Sequence, residues 1–243
     1  SMRDFLIFQG SVGWGNWARL ADTVTSGRSA IELNYGKQPF EFLNSPEIAD
    51  IFNRAMTGVS AVAVEAFIAA YPLQGLSAIA DVGGGHGRML GTMLQRVPSA
   101  RGTLIDLPSV VAGAGPILEE LGVRGRCDVV GADFFQPLPA FNADLVVMKS
   151  IVHDWADPEA RTILTHVRAR LKPGARLALC EVVVPGPGAP SFGKMLDLEM
   201  LVHAHGRERT REEYASLLSA SGLRLTRVIP TAGPLSVVEA EPA

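Results

Sequence analysis

The segment IADVGGGHGRML, residues 79–90, joins two kinds of chain. An apolar run closes on Asp81-Val82, glycines stand at 83, 84, 85 and 87, and a helix-like stretch opens at Arg88. Gly83, Gly85 and Gly87 allow the backbone to turn sharply and let a ligand press against it without meeting a Cβ. A strand, a glycine turn and a helix in that order begin a parallel α/β unit, whose ligands sit beyond the carboxyl ends of the strands. Alone, the turn fits a nucleotide cofactor, a phosphate group or nothing more than a tight turn.

The alternation continues downstream. AIADV, GTLIDL, CDVVGA, ADLVVMKS and ARLALCEVVV are short apolar strand candidates, separated by helical periodicity over 87–96, 110–121 and 157–171. Apolar strands spaced by amphipathic helices predict a parallel sheet covered on both faces. After Pro190 the order changes to helices over 193–204 and 211–221, then LRLTRVIP and LSVVEAE as a closing pair joined by Gly233-Pro234. Upstream, Trp14, Trp17, Leu20 and Val24 stand at helical spacing and predict one amphipathic helix over 3–24. Gly27, Gly36 and Pro39 predict an irregular connection over 25–43. Ser45-Pro46-Glu47 reads as an N-cap with proline behind it, opening a long helix to about Ala70 with a break near Gly58. The expectation is a doubly wound α/β domain over 73–243 with a helical annex or linker over 3–72. Ser1-Met2 reads as the remnant of a cleaved tag.

With 243 residues, 47% hydrophobic and 19% charged, the chain can bury a full core. A formal net charge of −3 without any Lys/Arg run argues against a nucleic-acid partner. No apolar run is read as reaching the roughly 20 residues of a membrane helix, and no basic-then-apolar leader opens the chain, so no membrane partner is expected. Cys127 and Cys180 both lie in strand-like apolar context and make no disulfide framework, which points to a reducing, cytoplasmic compartment.

The strand ends carry acids. TLIDL closes on Asp106, about 20 residues past the glycines, where a carboxylate can accept both hydroxyls of an adenosine ribose. Asp133 in GADFF closes the third strand, where it can take an adenine amino hydrogen beside Phe134. NAD and S-adenosylmethionine both offer an adenosine. A dinucleotide fingerprint is spaced G-x-G-x-x-G, whereas here the glycines at 83, 85 and 87 follow Asp81. A carboxylate at that place repels a pyrophosphate and suits a sulfonium and an ammonium, which favours S-adenosylmethionine. The plain alternative for Asp81 is an exposed strand-end acid.

Strand four runs into VMKSIVHDWADPEARTIL, residues 147–164. With DVGGGHG, LIDLP, GADFF and GRERT in that order, it resembles the S-adenosylmethionine-dependent small-molecule O-methyltransferases of plant phenylpropanoid and bacterial polyketide-tailoring pathways. Lys149, His153, Asp154, Trp155, Asp157, Glu159, Ile163 and Leu164 fit the family pattern position by position. YGKQPFEFLNSPEIADIFNRAM, residues 35–56, is similar to a segment of the bacterial members. The resemblance implies a Rossmann-like seven-stranded methyltransferase sheet with an antiparallel last strand, and methyl transfer to a hydroxyl of a small aromatic molecule in secondary metabolism such as antibiotic biosynthesis. It implies His153 as general base, with Glu181 and Glu208 as carboxylates that orient it. Around the cofactor it places Asp81, Gly83, Gly85, Asp106, Leu107, Asp133, Phe134, Lys149, Ser150 and Trp155. Around the substrate it places Met195, Met200 and Asp154. No metal is called for. A phenol, with a pKa near 10, is a poor nucleophile while protonated, and an imidazole can take that proton during transfer.

Other residues stay divided. The stripe Met195, Leu196, Met200 and Leu201 is either core or an aromatic-binding wall, and Trp155 is either core or a wall near the cofactor. His86 is expected against the cofactor carboxylate and His166 in solvent. His203 and His205, two apart on a helix, point to different sides and make no metal pair. Family members usually carry a further N-terminal dimerisation domain. The full-length form is therefore implied to be a homodimer, and helix 3–24 is expected to expose the apolar face that packs on that domain. The competing expectations are a repurposed member that keeps the cofactor as a scaffold or assists another tailoring reaction, and an NAD-dependent oxidoreductase.

Overall fold

The computed structural model describes residues 2–243, the side chain of Val62 excepted; Ser1, half of the expected tag remnant, lies outside them. The annex comprises α1 (Arg3–Phe8), a π-helical turn (Gln9–Gly13), α2 (Trp14–Trp17), α3 (Leu20–Ser26), α4 (Ala30–Tyr35), α5 (Pro39–Leu43) and α6 (Ala49–Ala70). There follow β1 (Ala78–Val82), α7 (Arg88–Arg96), β2 (Arg101–Asp106), α8 (Pro108–Val111), α9 (Ala114–Glu120) and β3 (Cys127–Gly131). The chain continues with β4 (Leu145–Lys149), α10 (Asp157–Arg168), β5 (Arg176–Glu181), α11 (Phe192–His203), α12 (Arg211–Ala220), β6 (Leu223–Pro230) and β7 (Ser236–Pro242).

The strands form one seven-stranded sheet in the order β3-β2-β1-β4-β5-β7-β6. β7 runs antiparallel to both its neighbours, while β1 to β5 pair in parallel. Side-chain alternation feeds both faces, as expected for strands buried on two sides. Ile79, Leu145, Val147 and Ala178 pack with α7 and α9, whereas Ala80, Val146, Met148 and Leu179 pack with α10 and α12. The strand order reverses between β1 and β4, so the chain leaves these neighbours in opposite directions and opens a crevice at their carboxyl ends. The glycine turn and the turn bearing His153 are the two lips of that crevice.

The strand expectations match within three residues, the largest overrun being ARLALCEVVV past the end of β5, and the helical annex corrects several others. Helix 3–24 is broken: the π-turn inserts one residue, which rotates the later face by about 100°. Trp14 is consequently 81% and Val24 62% exposed, while Asn16 and Thr23 are buried. Segment 25–43 is helical rather than irregular. Ser29 and Glu32 make a reciprocal capping box for α4, and Pro39 opens α5 at its first position. Ser45 heads a turn rather than the long helix, its carbonyl accepting from Ile48 N–H at 3.0 Å and Ala49 N–H at 2.8 Å. α6 then runs unbroken past Gly58. Helix 110–121 is split, because the Pro116 ring would clash with the carbonyl one turn earlier in a continuous helix.

α6 also corrects the membrane expectation, since by length and composition it is apolar enough to cross a bilayer. It nevertheless pairs Arg54 with Asp4 and Asp50, pairs Glu65 with Arg96, and buries Ala55, Val64 and Phe67. Phe8, Val12, Ile31, Phe42, Leu43 and Ala55 form the annex's own cluster, while Val64, Phe67 and Tyr71 belong to the core of the sheet.

Just past α6, Tyr71 locks this helix to the sheet edge. Its hydroxyl donates to Glu239 Oε2 at 2.5 Å, and the same carboxylate accepts from Thr226 Oγ1 at 2.8 Å and from Arg227 Nε and Nη2 at 2.9 and 3.0 Å. Burial raises the Glu239 carboxyl, but Arg227, Tyr71 and Thr226 outweigh it and hold it at about 2. A depressed carboxyl stabilises the fold above its unfolded value of 4.5, and that contribution is lost as pH falls toward about 2. Glu239→Gln is therefore expected to cost about 1–3 kcal/mol at pH 7. Thermal melts should show the gap to the parent protein closing between pH 4.5 and about 2; a gap independent of pH would contradict this account.

Candidate active site

The first lip is built from backbone. Gly83 has φ 72°, and a Cβ there would stand 2.5 Å from Ile151 Cδ1, so glycine is required by both conformation and space. Gly85, by contrast, faces open space. Its N–H donates to Asp106 Oδ2 at 2.8 Å, and Leu107 N–H donates to Asp106 Oδ1 at 2.7 Å, so Asp106 is oriented by the loop it faces. Asp81 is 1% exposed, and neither of its carboxylate oxygens has a hydrogen-bond partner. Burial pushes it up to about 7, with Asp106 adding to the shift and Lys149 opposing it. The exposed strand-end alternative is thus overturned. A buried carboxylate with both oxygens orphaned is costly unless a cation or donor completes it, and the ammonium and sulfonium of S-adenosylmethionine are such groups. The residues present fit that cofactor.

The second lip starts where β4 ends. Ser150 adopts φ 53° and donates its N–H to the Cys180 carbonyl at 3.1 Å, turning the chain into the short 3-10 turn Val152–Asp154. Glu181, at the end of β5, accepts Ile151 N–H at 3.0 Å and Val152 N–H at 2.9 Å on Oε1. His153 Nδ1 lies 2.8 Å from Glu208 Oε1 and 3.9 Å from Glu181 Oε2, while Nε2 lies 3.5 Å from Asp154 Oδ1. Burial opposes the charged imidazole, but Asp154, Glu181 and Glu208 together outweigh it and push His153 up to about 10. Burial also raises Glu181, and lifts Asp154 to about 6 against the pull of His153 and Lys149. With Nδ1 turned to Glu208, Nε2 is the nitrogen left to exchange a proton with a ligand. The donor atoms of His153, Glu181 and Glu208 lie within 4.8 Å of one another, the one such group among the described residues. A metal ion there would have to displace the proton shared by Nδ1 and Glu208.

Aromatic side chains close one side. Trp155 stacks on Phe40 of the annex at 5.0 Å and meets Phe135 edge-on at 4.6 Å and Phe134 at 6.2 Å. It packs against the core on that face, yet its buried indole N–H has no partner. Asp133 accepts the Phe135 N–H at 2.9 Å, capping the turn that carries Phe134. His166 is not a solvent residue: its Nδ1 lies 3.0 Å from the Phe134 carbonyl and ties α10 to this turn. His86 packs against Gly113. In the methionine stripe, Met195 is 54% exposed, while Leu196, Met200 and Leu201 are half-buried. His203 and His205 diverge, His203 Nδ1 lying 3.2 Å from the Glu199 carbonyl and His205 Nε2 bonding Glu32.

Arg209 is a residue that sequence reasoning misses. It is fully buried, and its guanidinium donates to the carbonyls of Val152 at 3.0 Å and Trp155 at 2.8 Å, and to Asp157 Oδ1 at 2.7 Å. The turn bearing His153 is held from beneath by this one side chain. GRERT is visible in the sequence as part of the family pattern, but nothing in it signals that the Arg209 guanidinium is buried beneath the turn. Gly206 is the other: a Cβ on it would stand 1.9 Å from the His153 carbonyl oxygen.

Comparison with known proteins identifies the family. The model of the O-methyltransferase domain family matches residues 17–224. The phenazine O-methyltransferase PhzM of Lysobacter antibioticus is 39% identical over 100% of this chain, which spans 71% of that enzyme. The aclacinomycin 10-hydroxylase RdmB of Streptomyces purpurascens is 36% identical over 92% of this chain, which spans 61% of it. Among solved structures, the O-methyltransferase NcsB1 of neocarzinostatin biosynthesis, in complex with S-adenosyl-L-homocysteine and 1,4-dihydroxy-2-naphthoic acid, superposes with TM-score 0.86 at 30% identity. That match covers 96% of this chain and 70% of the other. With a matched family model over most of its length and a relative at this identity, the chain belongs to the O-methyltransferase domain family.

Proposed function

We propose that this protein transfers a methyl group from S-adenosylmethionine to a hydroxyl of a small aromatic molecule, with His153 as the base. The observation that carries the reading is the buried His153, flanked by Glu208, Glu181 and Asp154, across the β1/β4 crevice from an orphaned Asp81. When bound, S-adenosylmethionine supplies an electrophilic methyl group and a sulfonium leaving group. Asp81 would face its cationic part, Asp106 and Leu107 its ribose, and Asp133 with Phe134 its adenine. Lys149, Ser150 and Trp155 would line the same crevice, and no metal enters. Met195 and Met200 offer soft, accessible surface to an aromatic ring, with Asp154 beside it. The hydroxyl proton passes to His153 Nε2 while Glu208 and Glu181 stabilise the resulting imidazolium through Nδ1. A base at about 10 is matched to a phenol of similar pKa, so the pair shares one proton rather than exchanging it uphill. Phenazines and naphthoic acids, named for the relatives, suit such a pocket. By analogy with the full-length family form, the protein is read as a cytoplasmic homodimer without nucleic-acid or membrane partners, and the chain as annex 3–72 plus catalytic domain 73–243.

RdmB, a relative named as a hydroxylase, favours a second reading, a member that serves a tailoring reaction other than methylation. That reading keeps the cofactor as a scaffold. It predicts cofactor binding without methyl transfer to any phenol.

His153→Ala should lower methylation of a hydroxyphenazine by about 10²–10⁴-fold while leaving cofactor affinity nearly intact. Activity that survives would leave the proton to water and sink the base. With one proton shared between His153 and phenol, kcat/KM should climb with pH from neutrality toward about 10; a plateau from about pH 7, as for an ordinary imidazole, would contradict it. Asp81 at about 7 must lose its proton to meet a cation, so calorimetry should show affinity for S-adenosylmethionine rising as pH passes from 6 to 8. Asp81→Asn should abolish that pH dependence; a dependence that persists would take Asp81 out of the cofactor site.

A further inference from the structure

Residues 204–209, between α11 and α12, bring Glu208 to His153, and three successive residues of this loop are pinned by their backbone. Arg207 N–H donates to the His153 carbonyl at 2.8 Å, Glu208 N–H donates to Asp197 Oδ1 at 2.8 Å, and the Arg209 carbonyl accepts from Val184 N–H at 3.0 Å. The first contact depends on Gly206, which alone lets the loop lie on the His153 carbonyl. Two of these bonds join backbone to backbone and are indifferent to side chains. The middle one, on Glu208 itself, ends on a carboxylate from another element.

Asp197 lies near the middle of α11, and its carboxylate makes no other hydrogen bond among the described residues. Two residues further along the same helix, Glu199 accepts Gln9 Nε2 at 2.8 Å and the Trp17 indole N–H, both from the annex. α11 therefore ties the annex on one side to the Glu208 backbone on the other, and it also carries Met195 and Met200. We propose that Asp197 is a positioning residue, whose carboxylate holds the Glu208 backbone N–H so that Glu208 Oε1 stays on His153 Nδ1. Its catalytic meaning rests on the reading of His153 as the base. Without the acceptor at 197, the Glu208 N–H loses its partner and the peptide is free to turn, carrying the side chain off the imidazole.

The test follows the imidazole nitrogens of His153 by 15N NMR across pH in the full chain, with His153→Gln assigning the signal. The charged groups facing the ring are Glu208 from the loop, Glu181 from β5 and Asp154 from the turn, with Lys149 behind them. Glu208→Gln removes the charge opposite Nδ1 and should lower the titration by about one pH unit or more. Asp197→Ala should lower it comparably, Asp197→Asn should leave it in place by keeping an oxygen there, and the Asp197→Ala/Glu208→Gln pair should not add. Asp197→Ser, too short to reach, serves the same comparison if the alanine variant does not fold. The proposal is overturned if Asp197→Ala leaves His153 unmoved while Glu208→Gln shifts it, if alanine and asparagine act alike, or if the two effects add. It also falls if Glu208→Gln moves nothing. Methylation that survives in His153→Ala would sink the base and leave these titration outcomes standing.

Discussion

Burying an imidazole and two glutamates at the end of a parallel sheet costs several kcal/mol per ion unless every charge finds a partner. That requirement organises the crevice. Glu181 can sit without exposure because Ile151 and Val152 turn their N–H groups onto it, and this bends the chain after β4. Glu208 can sit there because its loop is fastened to the His153 carbonyl, to Asp197 and to β5's continuation at Val184. Arg209 then donates to the carbonyls of Val152 and Trp155 in the bend. Each backbone distortion near His153 thus serves to satisfy a buried polar group.

Across the crevice the balance is deliberately incomplete. Both oxygens of Asp81 and one oxygen each of Glu181 and Glu208 lack hydrogen-bond partners, as does the Trp155 indole N–H. The other buried polar atoms without a hydrogen-bond partner, on Asn16, Arg19, Thr23, Arg88, Arg170 and His203, are scattered over the annex and the helices, whereas these four carboxylate oxygens flank the crevice. Native cores seldom tolerate such a concentration. A cationic ligand and a proton to be moved are the natural complements, which is why the polar imbalance and the proposed chemistry coincide.

The annex is joined to this centre by chemistry as well as by packing. Phe40 stacks on Trp155, Trp17 and Gln9 hold Glu199, and the Ser29–Glu32 capping box receives His205, which itself adopts φ 60°. The large apolar side chains left exposed, among them Leu6, Trp14, Phe192 and Met195, lie on the annex and α11 rather than on the helices that flank the sheet. In the proposed reading the sheet ends carry the proton and cofactor residues, while the helical side forms the wall a substrate would meet.

Sequence alone determined the strands, their order of appearance and the residues at their ends. Strands buried on both faces need unbroken apolar runs, and glycine turns need glycine at positions such as 83, so both are local properties. The linear motifs likewise placed His153, Asp81 and Asp106 at strand ends before any contact was known. The annex was less legible: a π-turn rotates a helical face, and capping at Ser29 and Pro39 makes helices where glycines suggest loops. Only the tertiary structure decided that the bond between His153 and Glu208 falls on Nδ1, although the family resemblance already paired these two residues, 55 apart in the chain. It also decided that Asp81 is buried without a partner, that Arg209 lies beneath the turn, and that Asp197 holds the Glu208 backbone. Those facts depend on which groups water can no longer reach, and burial is a property of the packed chain, not of the order of its residues.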